Sequence, residues 1–206
     1  AKVRVGCCGF PEARGKYYRD FDVVEVQQTF YQPPRPLTVQ RWRMEAPEEF
    51  EFALKAWQLV THPSSSPTYR RLKARIPDRK ARLYGFFRPT DEVWEAWETT
   101  QAIASALKAR VIVFQCPASF APTSENIRNI TGFFAQVKAQ GRIFIWEPRG
   151  DWKKKEIERV CGDTGLIPCL DPFSEDVFFS GLLYLRLHGR RGYRYSYTEE
   201  DMRALK

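Results

Sequence analysis

Seven strand-like apolar runs alternate with helical patterns along 206 residues, and the first is not followed by a glycine-rich phosphate loop. These observations predict a parallel α/β fold closed as a TIM-like (β/α) barrel, with seven strands identifiable and the eighth not evident. With 43% hydrophobic and 15% aromatic residues, a chain of this length can bury one sizeable core, so a single domain over 1–206 is expected.

The first strand is VRVGCC (3–8) and the second VVEVQQTF (23–30). A helical pattern, LTVQRWRMEA (37–46), precedes the third strand, FEFALKAW (50–57). A long basic insertion at about 62–90 follows, and connections of such length are usually functional or mobile. The helix DEVWEAWETTQAIASALKA (91–109) leads to the fourth strand, VIVFQC (111–116). SENIRNITGFFAQVKAQ (124–140) reads as a helix capped by Ser124 and stopped by Gly141. RIFIWE (142–147) is apolar on both faces, as a strand covered on both sides should be, yet it runs into Glu147, Pro148 and Arg149. The helix DWKKKEIERVCGD (151–163) and the strands LIPCLD (166–171) and LLYLRLH (182–188) complete the alternation. A last capped helix starts at Thr198, followed by Glu199, Glu200 and Asp201.

Side chains alternate between the faces of a strand, so Glu25, Gln27 and Thr29 share a face opposite Val24 and Val26. The same parity groups Lys55 with Ala53, Gln115 with Val113, Glu147 with Ile145, Asp171 with Cys169, and His188 with Arg186 and Tyr184. In each case the polar residue stands at the C-terminal end, and in barrels those ends surround the active-site mouth while the rest of the interior is packed shut. A ring containing Glu25, Lys55, Gln115, Glu147, Arg149, Asp171, Arg186 and His188 is therefore expected. The opposing reading is a paired polar plug or an internal salt-bridge network.

Such a ring suits an anionic, for instance phosphorylated, ligand bound by Arg149 and Arg186. Glu147 and Glu25 are candidates for acid and base, with Lys55 and His188 stabilising charge and Asp171 completing the carboxylates. No cofactor is required. One divalent cation is compatible with the carboxylates, magnesium or manganese ahead of zinc, but HExxH and paired CxxC motifs are absent and two histidines are too few for a multi-zinc site. Lys55 in such a position also invites a Schiff-base role, and Cys7, Cys8, Cys116 and Cys169 a thiolate cluster; both are the weaker readings beside ordinary burial.

The blocks GCCGF, VEVQQTFYQPP, FALKAWQLVTH, FQCPASF, WEPRGDW and RLHGRRGYRYSYTEEDMRAL, in this order and spacing, resemble those of the YecE-like proteins, the family called domain of unknown function 72. The resemblance implies a TIM-like barrel and no settled activity. It places family polar positions on Glu25, Thr29, Tyr31, Lys55, Thr61, His62, Gln115, Glu147, Arg149, Trp152, Asp171, Arg186, His188, Gly189, Tyr193, Tyr195 and Ser196. Tyr31, His62, Trp152 and Tyr195 thereby join the ligand-binding candidates. The chain departs from the family at GCCG and at Gln27, where Asn is usual, and the family's closing strand after the last helix is not seen.

Lys and Arg outnumber Asp and Glu by 33 to 25, a net charge of +8, which favours anionic partners. From Arg70 to Arg88 eight cations face one acid, Asp78, with Tyr69, Tyr84, Phe86 and Phe87 interleaved. That mixture supports the alternative function, a nucleic-acid-binding protein without catalysis of its own, although a solvated loop shares it. Five cysteines, an odd number, argue against a secreted disulfide framework. No apolar run approaches the roughly 20 residues of a membrane span, and no signal-peptide pattern opens the sequence, so no membrane association and a cytoplasmic location are expected.

Overall fold

In the computed structural model, residues 2–174, 179–190, 192 and 194–205 are described. The elements run β1 (Gly6–Cys8), α1 (Arg14–Asp20), β2 (Val23–Val26), α2 (Gln28–Tyr31), α3 (Pro36–Glu45), β3 (Glu51–Lys55) and α4 (Gln58–Thr61). Two 3-10 turns, Pro67–Arg71 and Asp78–Leu83, lie in the insertion. Then come α5 (Asp91–Leu107), β4 (Val111–Gln115), α6 (Ser124–Gln136), β5 (Ile143–Glu147), α7 (Lys154–Thr164), β6 (Ile167–Leu170), β7 (Tyr184–Leu185) and α8 (Glu199–Ala204).

The seven strands pair in sequence order, every pair parallel. The sheet curls as a TIM-like α/β fold must: Tyr184 on β7 donates its hydroxyl to Glu25 Oε2 on β2 at 2.6 Å, and Arg186 Nη2 reaches Cys8 Sγ on β1 at 3.2 Å. Side chains bridge the first and last strands, although no β7–β1 ladder occurs among the described residues.

Alternation separates two cores. Val24, Val26, Phe52, Leu54, Ile112, Phe114, Phe144 and Trp146 face outward into the helices and are all buried. Inside the curl, Val113, Ile145 and Cys169 form a small apolar layer, packed by Val111, Ile143, Ile167 and Tyr184. Gln115, Glu147 and Asp171 stand one step further along the same faces, so the interior is closed below and polar above.

Several elements differ from the expectation. β1 begins only at Gly6, and Val3 and Val5 are exposed; a Cβ on Gly6 would lie 2.0 Å from Val23 O, so glycine permits the close approach of β1 to β2. α1 gave no periodic signal because it has one buried residue, Tyr17, whose hydroxyl accepts from Cys7 N–H at 2.6 Å and donates to Val23 O at 2.9 Å. β2 ends at Val26, so Thr29 belongs to α2, where its hydroxyl bonds Lys55 O at 2.7 Å and does not project to the axis. The cap of α6 is Thr123, whose Oγ1 accepts from Asn126 N–H at 3.2 Å, and Gly141 lies in the later turn before β5. α8 has the expected cap, with Thr198 Oγ1 and the Asp201 carboxylate exchanging bonds with each other's backbone N–H.

The insertion is fastened to α4, the short helix that follows β3. Gly85, Phe86 and Phe87 take three successive left-handed conformations, with φ of 78°, 56° and 53°. Two bulky residues there store about 1–3 kcal/mol of strain each. Their N–H groups donate to Leu59, Thr61 and Val60 carbonyls at 2.9, 3.1 and 2.9 Å, and the buried Phe87 ring anchors the turn.

Candidate functional site

The mouth is built on six strand ends. Glu25 follows from β2, Lys55 from β3, Gln115 from β4, Glu147 from β5 and Asp171 from β6, while Arg186 and His188 continue from β7. Glu25, Lys55, Glu147 and Asp171 are buried at 5%, 3%, 4% and 8% exposure, which for ionisable groups demands partners.

Those partners are one another. Glu147 Oε1 accepts from Gln115 Nε2 at 2.9 Å and from Arg149 Nη2 at 2.7 Å, while its Oε2 accepts from Arg186 Nη1. Arg186 also lies 3.5 Å from Glu25 Oε1, which accepts from Gln27 as well, and its buried Nε has no acceptor among the described residues. Gln115 links the network to Lys55, whose Nζ donates to Gln115 Oε1 at 2.5 Å and sits 4.1 Å above the Phe30 ring. Asp171 Oδ2 accepts from both the backbone N–H and Nδ1 of His188, each at 3.2 Å, and Nε2 of that ring lies 3.4 Å from Arg149 Nη2 and 3.7 Å from Glu147 Oε1.

The electrostatics follow from this packing. Burial alone would raise the Glu147 carboxyl, but Arg186 and Arg149 outweigh it and hold it below the usual carboxylate range. Burial pushes the Lys55 amine down to about 8, with Glu25 opposing. Burial, then Lys55 and Arg149, pushes the His62 imidazole down to about 3. Burial and Glu25 hold the Tyr184 phenol well above its ordinary value, so it donates to that carboxylate.

Exposure is graded across the cluster. The side chains of Glu147 and Arg186 are 6% and 11% exposed, those of His188 and Arg149 29% and 39%. An incoming molecule therefore meets His188 and Arg149 first, with the carboxylates behind them. Among the described residues no three His, Cys, Asp or Glu side chains converge on a common cation position, and the mouth carboxylates are turned to arginine, tyrosine, histidine and amide groups.

The structure brings together Glu25, Lys55, Gln115, Glu147, Arg149, Asp171, Arg186 and His188, with His62 adjoining through its ring against Phe30 at 4.9 Å. Tyr31 lies on the rim, its ring T-shaped against Phe30 and covered by the Arg71 guanidinium at 4.0 Å. Trp152 is placed elsewhere: buried in the outer core, it stacks on Phe120 and donates Nε1–H to Phe120 O at 2.6 Å. Tyr195 is likewise engaged at the last helix, its hydroxyl donating to Asp201 Oδ2 at 2.7 Å, and Tyr193 lies outside the described residues. Sequence reasoning did not single out Tyr184 and Gln27 as partners of Glu25; Tyr184 shares the parity of Arg186 and His188, which is the signal for it. In the insertion Tyr69, Tyr84, Phe86 and Phe87 pack inward against the core, so this segment presents cations and not a row of ring faces. The five cysteines are unpaired by disulfides, with Cys116, Cys161 and Cys169 buried. No helix among the described residues is long and apolar enough to cross a membrane.

A family model described as protein of unknown function DUF72 matches residues 11–206. No curated protein matches the chain. Solved structures do: a DUF72 family protein from Enterococcus faecalis V583 at 17% identity and TM-score 0.67, covering 98% of this chain and 82% of that one. A DUF72 family protein from Thermotoga maritima MSB8 matches at 16% identity and TM-score 0.67, covering 100% and 85%. A D-psicose 3-epimerase, determined in the presence of D-fructose, matches at 14% identity and TM-score 0.51 over 88% of this chain and 72% of that one. At these identities the likeness is one of fold.

Proposed function

The chain belongs to the DUF72 family of proteins of unknown function, and we propose that its barrel mouth is an acid–base active site for a small anionic molecule, phosphorylated or carboxylated. The reaction is of hydrolase, lyase or isomerase type, in which a proton moves at the ligand. The observation that carries this reading is His188, held by Asp171 through Nδ1 with Nε2 turned toward Arg149, at the most exposed level of the ring. With Nδ1–H donated to Asp171, Nε2 is the accepting nitrogen, the arrangement of an oriented general base.

Arg149 supplies the fork for an anionic group, and its charge is shared with Glu147. Glu147, kept ionised by two arginines, is a fixed negative charge that positions them and lies 3.7 Å from His188 Nε2. Lys55, whose ammonium is destabilised by burial, supplies or takes a second proton at the floor.

The test is solvent exchange. Phosphorylated and carboxylated sugars and small acids are incubated with the protein in D2O and followed by proton NMR, with turnover to new products read in the same spectra. One substrate is expected to exchange or turn over in the wild type and to lose this at least about a hundredfold in His188→Gln. The unfolding free energy of that variant should change by less than about 1 kcal/mol, because the side chain is part-exposed. Turnover that persists in His188→Gln would overturn the proposal.

A further inference from the structure

We propose that the insertion carries a second ligand site, a cavity that binds the phosphate group of a small phosphorylated molecule independently of the mouth. The cavity has a volume of about 450 Å³ and lies between the two 3-10 turns; Ser64, Tyr69, Arg70, Lys73, Arg75 and Asp78 are among the residues that line it. That volume falls within the roughly 300–1,000 Å³ of small-molecule sites. The mouth reading is not a premise of this inference.

The walls are fixed by bonds that do not use the cations. Tyr69 donates its hydroxyl to His62 O at 2.7 Å, Ser64 Oγ donates to Ala81 O at 2.8 Å, and Lys73 N–H donates to Gln32 Oε1 at 3.0 Å. Leu72 and Ile76, which also line the cavity, pack against the main core and tie this segment to the barrel. The left-handed Gly85–Phe86–Phe87 turn closes the far side of the insertion onto α4.

The charge on these walls is not neutralised locally. Of the eight cations between Arg70 and Arg88, Lys80 pairs with Glu92 at 3.0 Å, Arg71 covers the Tyr31 ring, and Arg88 donates to the Tyr84 carbonyl. Arg70, Lys73 and Arg75 have no acidic partner among the described residues, and one acid, Asp78, lines the same cavity. Three cations around one concavity give it a positive potential that attracts an entering dianion. Two guanidinium forks and an ammonium match a phosphate monoester better than a single carboxylate. Leu72, Ala74, Ile76 and Ala81 offer apolar wall for the organic body of the ligand. The inward packing of the insertion's aromatic rings removes the stacking faces that single-stranded nucleic acid would use, which favours a small molecule over a polynucleotide.

Glucose 6-phosphate is the probe, with glucose, inorganic phosphate and a ten-nucleotide oligothymidylate as comparisons, titrated calorimetrically at low salt. The protein is taken as wild type, as Arg149→Ala to silence the mouth, and as Arg149→Ala carrying either Arg75→Gln or the pair Arg70→Gln and Lys73→Gln. The expected result is that Arg149→Ala still binds glucose 6-phosphate and inorganic phosphate but not glucose, and that each cavity substitution weakens this binding at least about tenfold. All the cavity changes are on exposed side chains, and unchanged denaturation midpoints verify that the variants are folded. Absence of phosphate-dependent binding in Arg149→Ala, or binding indifferent to the cavity substitutions, would overturn the proposal. Oligothymidylate bound a hundredfold more tightly than glucose 6-phosphate would also overturn it and make the insertion a nucleic-acid surface.

Discussion

Replacing Lys55 by Met should change how stability depends on pH, and the size of the change follows from the burial of the amine. Burial holds the folded-state value at about 8 against an ordinary 10.5. The folded protein therefore binds fewer protons at Lys55 than the unfolded chain between those two values, and stability rises with pH across this window. The shift corresponds to about 3 kcal/mol, of which about 2–3 kcal/mol separates pH 7 from pH 10. Raised phenols and thiols, Tyr184 and Cys169 among them, act in the opposite sense at the same pH, so wild type alone does not isolate the lysine. The difference between wild type and Lys55→Met does, since those groups are common to both. Urea denaturation at half-unit steps from pH 7 to pH 10 should show wild type gaining about 2–3 kcal/mol relative to the variant. Parallel curves would refute the argument, because they would mean that the buried amine titrates alike in folded and unfolded chains.

Other perturbations have equally definite signs. Glu147→Gln leaves the Arg186 guanidinium buried with Glu25 as its remaining carboxylate, and should cost roughly 3 kcal/mol or more in denaturant unfolding at pH 7. His62, held near 3 by burial and adjacent cations, is neutral in the fold and charges on unfolding, so it contributes stability above pH 6.5 that is lost as pH falls toward 3; His62→Gln should flatten that acid limb of the stability curve. Gly85→Ala places a Cβ 2.2 Å from His62 O at φ +78° and should destabilise by at least about 2 kcal/mol, with faster proteolysis between residues 63 and 84.

The strand ends were legible because polarity broke the apolar pattern with the same parity on successive strands. Lys55 follows Ala53, Gln115 follows Val113 and Glu147 follows Ile145, and a two-residue period leaves those side chains no direction but the interior. The pairing within the ring was not legible. Asp171 and His188 come from different strands, and nothing local to either indicates that one orients the other. Trp152 shows the opposite limit, since a residue in a recognisable block was read as a ligand contact while its ring fills the outer core. α1 escaped because one tyrosine fixes it in place of an apolar stripe, and Thr29 was read as strand because a single helical turn keeps the polar spacing of a strand for two residues. The insertion cavity has no sequence signal beyond its charge, because its shape comes from 3-10 turns and a left-handed turn that hydrophobic periodicity does not encode.

The chain contains two histidines, which makes the imidazole signals of His62 and His188 separable by nitrogen NMR. Titrating the protein from pH 5 to pH 9 with each phosphorylated or carboxylated candidate tests the mouth most directly. His62 should remain neutral throughout and serve as a reference, given its depressed value of about 3. The candidate showing solvent exchange should also move the His188 Nε2 and Arg149 Nε signals of the wild type, and the His188 response should vanish in Arg149→Ala. A candidate that undergoes exchange with the His188 ring undisturbed, or a His188 signal unresponsive to every anion in the series, would contradict it.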